Sequence, residues 1–283
     1  MGLLDHIRAC NTYRPERFRP LRRNGERLGL VRHDNAELLR RFPAVFTVSD
    51  DAVELVAPGD FAAVTEAVEA VIAALAAEGR VERWRHEYFA ATPRWGAPPI
   101  LKVDRGAVSF LGIRSYGVHL NGWRRADGAT MLWIGRRALD KRVAPDKLDN
   151  LVAGGIGFGH GVADTLVKEA AEEAALPQTV IAKARPVGAI TYRLEVGQGV
   201  RDDVLFVYDL EVPDEVTPRN TDGEIAEFML MPASAVLERV RAGDDFKFNV
   251  NLVQIDFALR HGLLTSEDPE YLDLVTGLRR VLD

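Results

Sequence analysis

The chain has one cysteine, Cys10, in 283 residues. No internal disulfide can form, and a lone thiol fits a reducing compartment. Also missing is an apolar run of the roughly 20 residues that span a bilayer. The longest candidate, Phe61–Ala77, is interrupted by Glu66 and Glu69 at helical spacing. The start, Met1-Gly-Leu-Leu-Asp-His, has neither a signal-peptide pattern nor the Ser/Thr of a myristoylation site. The expected location is cytoplasmic, with no membrane partner. A cationic excess is absent too: the net charge is −6 and the pI near 5.6. That gives no bulk attraction to nucleic acid, and none is expected as a partner. Basic residues between Arg14 and Arg41 read as a solvated face balanced by Glu26, Asp34 and Glu37.

What is present is ordinary for a folded domain, 47% hydrophobic and 28% charged residues. Leu28–Val31 and Val45–Val48 read as strands, Ala36–Phe42 as a short helix. Asp60 is placed to cap a long helix with Phe61, Val64, Val68, Val71, Ile72 and Leu75 on one face, closed by Gly79. Ala90–Pro99 reads as a loop. Leu101–Val103 and Val108–Phe110 read as strands around the turn Asp104-Arg105-Gly106. From about Gly112 the pattern changes. Tyr116–Trp123 and Thr130–Arg136 flank Ala126-Asp127-Gly128, a hairpin signal. A glycine-rich loop and a helix from Asp164 to Ala175 follow. Beyond them lie strand-like Val187–Glu195, Asp203–Leu210 and Phe228–Met231. Two more helices run over Ala233–Arg241 and Asn249–His261. The expectation is an α/β fold around a mixed sheet, residues 113–283, preceded by a smaller α+β domain, residues 1–112.

The informative segment is Gly154–Leu176. Gly154, Gly155, Gly157, Gly159 and Gly161 form a loop whose backbone can approach a ligand closely. On the helix after it, Glu169, Glu172 and Glu173 stand at i, i+3 and i+4, so their carboxylates share a face. Like charges so placed repel by a few tenths of a kcal/mol per pair. A hard divalent cation would remove that cost. The bland alternative is an acidic solvent face behind a flexible loop.

The segment resembles the Nudix hydrolase signature G-x5-E-x7-R-E-U-x-E-E-x-G-U, where U is a bulky apolar residue. Gly154 takes the first position, Glu169, Glu172 and Glu173 the helix carboxylates, and Leu176 the last. The chain departs from it at His160 (Glu), Lys168 (Arg), Ala170 (U) and Ala175 (Gly). The resemblance implies a Nudix α/β/α sandwich, and Mg²⁺ or Mn²⁺ held by Glu169, Glu172, Glu173 and the Gly154 carbonyl. Lys168 keeps the charge of the family arginine but loses its bidentate fork.

Further segments are similar to one group of Nudix proteins, those related to fungal thiamine pyrophosphokinase fusions and plant plastid homologues. They include His119-Leu-Asn-Gly-Trp, Trp133-Ile-Gly-Arg-Arg, Pro145-Asp-Lys-Leu-Asp-Asn, Asn220-Thr-Asp-Gly-Glu and Phe246-Lys-Phe-Asn. The resemblance covers nearly the whole chain. It implies hydrolysis of a small-molecule diphosphate, with damaged (oxo or oxy) thiamine diphosphate as the expected substrate. Lys141, Lys147 and Arg137 are candidates for the phosphates. Trp133, Trp123, Tyr116 and Phe158 are candidates for an aromatic platform, with core packing as the alternative for each tryptophan. The general base is sought among Glu172, Glu173, Glu224 and Glu227, with Glu224 preferred. Isopentenyl-diphosphate isomerase, a related fold, needs a core-domain cysteine that Cys10 does not supply. A non-catalytic sensor module is the other reading, and a homodimer is an expected assembly.

Overall fold

The computed structural model describes residues 2–83 and 87–280. In the first part, β1 (Phe18–Arg23), β2 (Glu26–Arg32), β3 (Phe46–Val48) and β4 (Val53–Leu55) form a sheet in the order β2-β1-β4-β3. Helix α1 (Leu3–Ala9) precedes them, and α2 (His33–Leu39) and α3 (Phe61–Ala77) lie among and after them. Asp60 caps α3 by accepting from the Ala62 and Ala63 amides at 3.1 Å. The expected face is buried, through Val64, Val68, Val71, Ile72 and Leu75. A hairpin follows, β5 (Tyr88–Ala91) and β6 (Leu101–Asp104), so the expected loop begins only after Ala91.

One expected strand is a helix. Val108–Leu111 forms α4 behind a 3-10 turn that Asp104 caps by accepting from the Gly106 amide. A three-residue apolar run fits a buried helical turn as well as a strand, and Gly112 in the left-handed region (φ 61°) ends it.

The second part is built on β7 (Arg114–Ala126), β8 (Ala129–Arg137), β9 (Leu148–Asp149), β10 (Val152–Gly155), β11 (Arg185–Val196), β12 (Gly199–Glu211) and β13 (Ile225–Pro232). They make a seven-stranded sheet along β11-β12-β7-β8-β13, with β10 on β7 and β9 on β8. β12 runs parallel to β7 and the remaining pairs are antiparallel, so the sheet is mixed. The β7–β8 turn has Asp127 and Gly128 at φ 52° and 78°, the left-handed pair a two-residue hairpin favours.

Helices α5 (Val162–Ala174) and α6 (Gln178–Ile181) cover one face. The other is covered by α7 (Ala233–Ala242), α8 (Val250–Arg260) and α9 (Tyr271–Gly277). Alternation along β8 divides its residues between the layers, Leu132 and Ile134 toward α7 and α8, Trp133 toward α5. The N-terminal helix α1 packs in this second core, through Leu3, Ile7 and Cys10, and His6 Nε2 lies 2.6 Å from the Val240 carbonyl. No described helix is long and apolar enough to cross a membrane.

Candidate active site

The site is laid out by the run from β10 through the glycine loop into α5. Ala153 and Gly154 of β10 sit opposite His119 and Val118 of β7. Helix α5 starts at Val162, earlier than the sequence suggested. Gly161 is its N-cap, and Asp164, in the first turn, accepts from the Gly161 amide at 3.3 Å. At the other end Ala175, at φ 51°, takes the left-handed position where the signature has glycine.

The α5 carboxylates differ in environment. Glu173 is only 4% exposed and accepts from the Ala153 amide at 2.9 Å. Burial pushes its pKa well above the ordinary carboxylate range; the Ala153 hydrogen bond opposes this, and repulsion from Asp149, Glu169 and Glu224 adds to it. Burial also raises Glu169, against the attraction of Lys168. Lys168 Nζ lies 3.3 Å from Glu169 and 2.8 Å from Glu172, holding the two side by side. Gly154 is required: a Cβ there would stand 2.3 Å from Glu169 Cγ.

These groups line a cleft of about 1340 Å³. Lys141 and Glu224, 2.7 Å apart, lie on the same cleft. The N-terminal half contributes Glu82, Glu87, Phe89 and Arg105 to its wall. That half also braces the glycine loop. The Phe158 amide donates to the Tyr88 carbonyl at 2.7 Å, and the Phe61 and Phe158 rings stack with centroids 5.3 Å apart.

As donors the site offers carboxylate and carbonyl oxygens, two of the carboxylates desolvated and repelling one another, which suits a hard divalent cation. Among the described residues no three acidic, His or Cys side chains converge in ligating geometry. The cation between Glu169 and Glu172 is Lys168.

The other expected residues are placed unevenly. Arg137 lines the cleft, but its guanidinium is engaged: Asp149 at 2.8 Å, the Val143 carbonyl at 3.0 Å and the Ala144 carbonyl at 3.2 Å. It fastens the 138–147 loop. Lys147 points away, to the Asp244 carbonyl at 2.6 Å. Trp133 is buried in the α5-side core. Trp123 packs edge-on to His261 in the opposite layer. Phe158 is taken up by Phe61, and of the aromatic candidates Tyr116 lines the cleft. Glu227 pairs with Arg136 at 3.5 Å, and of the two glutamates of its segment Glu224 lies on the cleft, beside Asp222.

Sequence reasoning assigned no role to His119, Asn249, Lys247, Arg201 or Asp203, which line the cleft's inner end. The available signal was polarity inside apolar strands, as at His119 and Asn121 in β7.

Residues 2–115 match a domain of unknown function (DUF4743), and residues 120–250 match the NUDIX domain. Nudix hydrolase 20, chloroplastic, of Arabidopsis thaliana is 37% identical over 294 residues, covering 98% of this chain and 78% of that protein. The chain belongs to the Nudix hydrolase family. Nudix hydrolase 24, chloroplastic, of the same plant is 36% identical over 286 residues, with the same coverage. The structure of DR0079 from Deinococcus radiodurans aligns with a TM-score of 0.45 at 21% identity, over 59% of this chain and 95% of that one. As a Nudix hydrolase the protein is an enzyme, a diphosphate hydrolase, and its fold is the expected α/β one with a separate N-terminal domain.

Proposed function

We propose that this Nudix hydrolase cleaves the diphosphate of a small organic molecule with Mg²⁺ or Mn²⁺, and that a damaged thiamine diphosphate is its substrate. The observation that carries the reading is one cleft lined by Glu169, Glu172, Glu173, Lys141 and Glu224. A divalent cation bound by the α5 carboxylates and the Gly154 carbonyl would neutralise phosphate charge and lower the pKa of a coordinated water. Lys141 offers N–H donors to a phosphate oxygen and holds Glu224 in place through their 2.7 Å pair. Glu224 is the proton acceptor for the attacking water, at Oε2, since Oε1 is paired with Lys141. Glu173 fixes β10 against α5 through the Ala153 amide. Support for the thiamine ring comes from the resembling segments outside the signature, and Tyr116 supplies an aromatic face in the cleft.

The test is phosphate release with Mg²⁺ across thiamine diphosphate and its oxo and oxy forms, ADP-ribose, NADH, CoA and dNTPs. Turnover should be highest on the oxo or oxy forms. Glu172→Gln and Glu173→Gln should each lower kcat by orders of magnitude with the thermal midpoint nearly unchanged. Full activity in either variant overturns the carboxylate assignment, and a preference for another diphosphate overturns the thiamine assignment.

A further inference from the structure

Two chains of hydrogen bonds reach the inner end of the cleft, and each begins at a buried aspartate. In the first, Asp209 accepts from Asn121 Nδ2 at 3.0 Å. Asn121 Oδ1 accepts from Asn150 Nδ2 at 2.7 Å, and Asn150 Oδ1 lies 2.7 Å from His119 Nδ1. Each amide is oriented by the one before it, so His119 Nδ1 must be the donor. Burial and the nearby Lys247 charge keep the ring neutral, so Nε2 carries a bare lone pair. His119 is 3% exposed and lines the cleft, and its Nε2 meets no partner among the described residues.

In the second chain, Asp203 Oδ2 accepts from the Tyr192 hydroxyl at 2.5 Å, and that hydroxyl accepts from Asn249 Nδ2 at 3.4 Å. This fixes the amide with Oδ1 as its other end. Asn249 is 6% exposed and lines the cleft, and its Oδ1 is buried without a hydrogen-bond partner. It occupies the N-cap of α8, where an asparagine oxygen ordinarily accepts from the helix backbone, yet it makes no such bond. The neighbouring charges are already matched, Lys247 with Asp149 at 3.3 Å and Arg201 with Asp203 at 3.4 Å.

We propose that His119 and Asn249 are specificity-determining residues, a pair of pre-oriented acceptors that selects substrates whose organic part is a nitrogen heterocycle presenting an N–H, as an amino group or on the ring itself. An acceptor held bare in a buried site favours the ligand that brings it an N–H and discriminates against the isostere that does not. The assignment rests on the hydrolase reading in one respect: phosphates held through a divalent cation on the α5 carboxylates would direct the rest of the substrate along the cleft.

The test separates the two. Binding is measured by calorimetry in Mg²⁺ with two matched pairs of monophosphates, which carry no diphosphate linkage to hydrolyse. One pair is thiamine monophosphate and its desamino counterpart; the other is AMP and purine riboside monophosphate. In at least one pair the amino compound should bind about tenfold more tightly, and the pair that shows it identifies the ring class. Asn249→Ala and His119→Ala should each reduce that preference to within about twofold, an effect of losing one acceptor. Equal affinity within both pairs, absence of binding by all four, or a preference that survives both substitutions overturns the proposal. The wild-type comparison stands even if a variant fails to fold. A failure of Mg²⁺-dependent hydrolysis alongside an intact amino preference would overturn only the hydrolase reading.

Discussion

Phe89 of β5 lies against Gly155 of β10, so close that a Cβ on Gly155 would stand 2.7 Å from Phe89 Cζ. With the Phe158–Tyr88 hydrogen bond and the Phe61–Phe158 stack, this contact ties the glycine loop to the N-terminal half. Half of the chain that bears no catalytic carboxylate therefore helps set where the loop stands.

Gly155→Ala should destabilise the protein by about 1–3 kcal/mol, the usual cost of overpacking a fitted contact. Phe89→Leu in the same chain should recover part of it. A double-mutant cycle in urea reads the coupling. Strictly additive effects would mean that the two residues do not meet.

Ala175 holds the left-handed position at the end of α5. A non-glycine residue there costs roughly 1–2 kcal/mol, and glycine gives back part of that gain through its freer unfolded chain. Ala175→Gly should therefore stabilise by about 0.5–1 kcal/mol, read as a higher urea midpoint at constant m.

His119 should make stability pH-dependent. Burial, helped by Lys247 and opposed by Asp149 and Asn150, lowers its pKa from 6.5 to about 4. Below pH ~6.5 the unfolded chain binds a proton that the folded ring refuses until about pH 4, so this contribution is full above 6.5 and lost on descending to 4. The loss amounts to up to about 3 kcal/mol. His119→Gln, which can still donate to Asn150, should flatten the stability profile between pH 6.5 and 4. An unchanged slope would count against a neutral buried ring.

Mg²⁺ should raise the unfolding midpoint in proportion to the logarithm of its concentration, since a ligand at 100 times its Kd adds about 2.7 kcal/mol. Glu173→Gln should abolish most of that shift while leaving the response to NaCl as it was. An equal Mg²⁺ response in the variant would remove Glu173 from the ligand set.

Much of this was legible in the sequence because it is local. Asp60 and its apolar face defined α3, Asp127-Gly128 defined the hairpin, and the spacing of Glu169, Glu172 and Glu173 put them on one helical face. Periodicity, capping and turn chemistry depend on near neighbours, and near neighbours are what a sequence displays. Short apolar runs carried less: Val108–Phe110 became a helical turn because its surroundings, not its residues, chose. Gly154–Leu176 likewise specified a carboxylate-bearing helix on a glycine loop, but not how unequal its carboxylates are. Only the fold buries Glu173 against Ala153, turns Arg137 to Asp149 and Trp133 into the core, and brings Phe89 onto Gly155. It also aligns Asn121, Asn150 and His119 into a single hydrogen-bond chain. Those are contacts between distant segments, and desolvation and hydrogen-bond direction exist only once the segments meet.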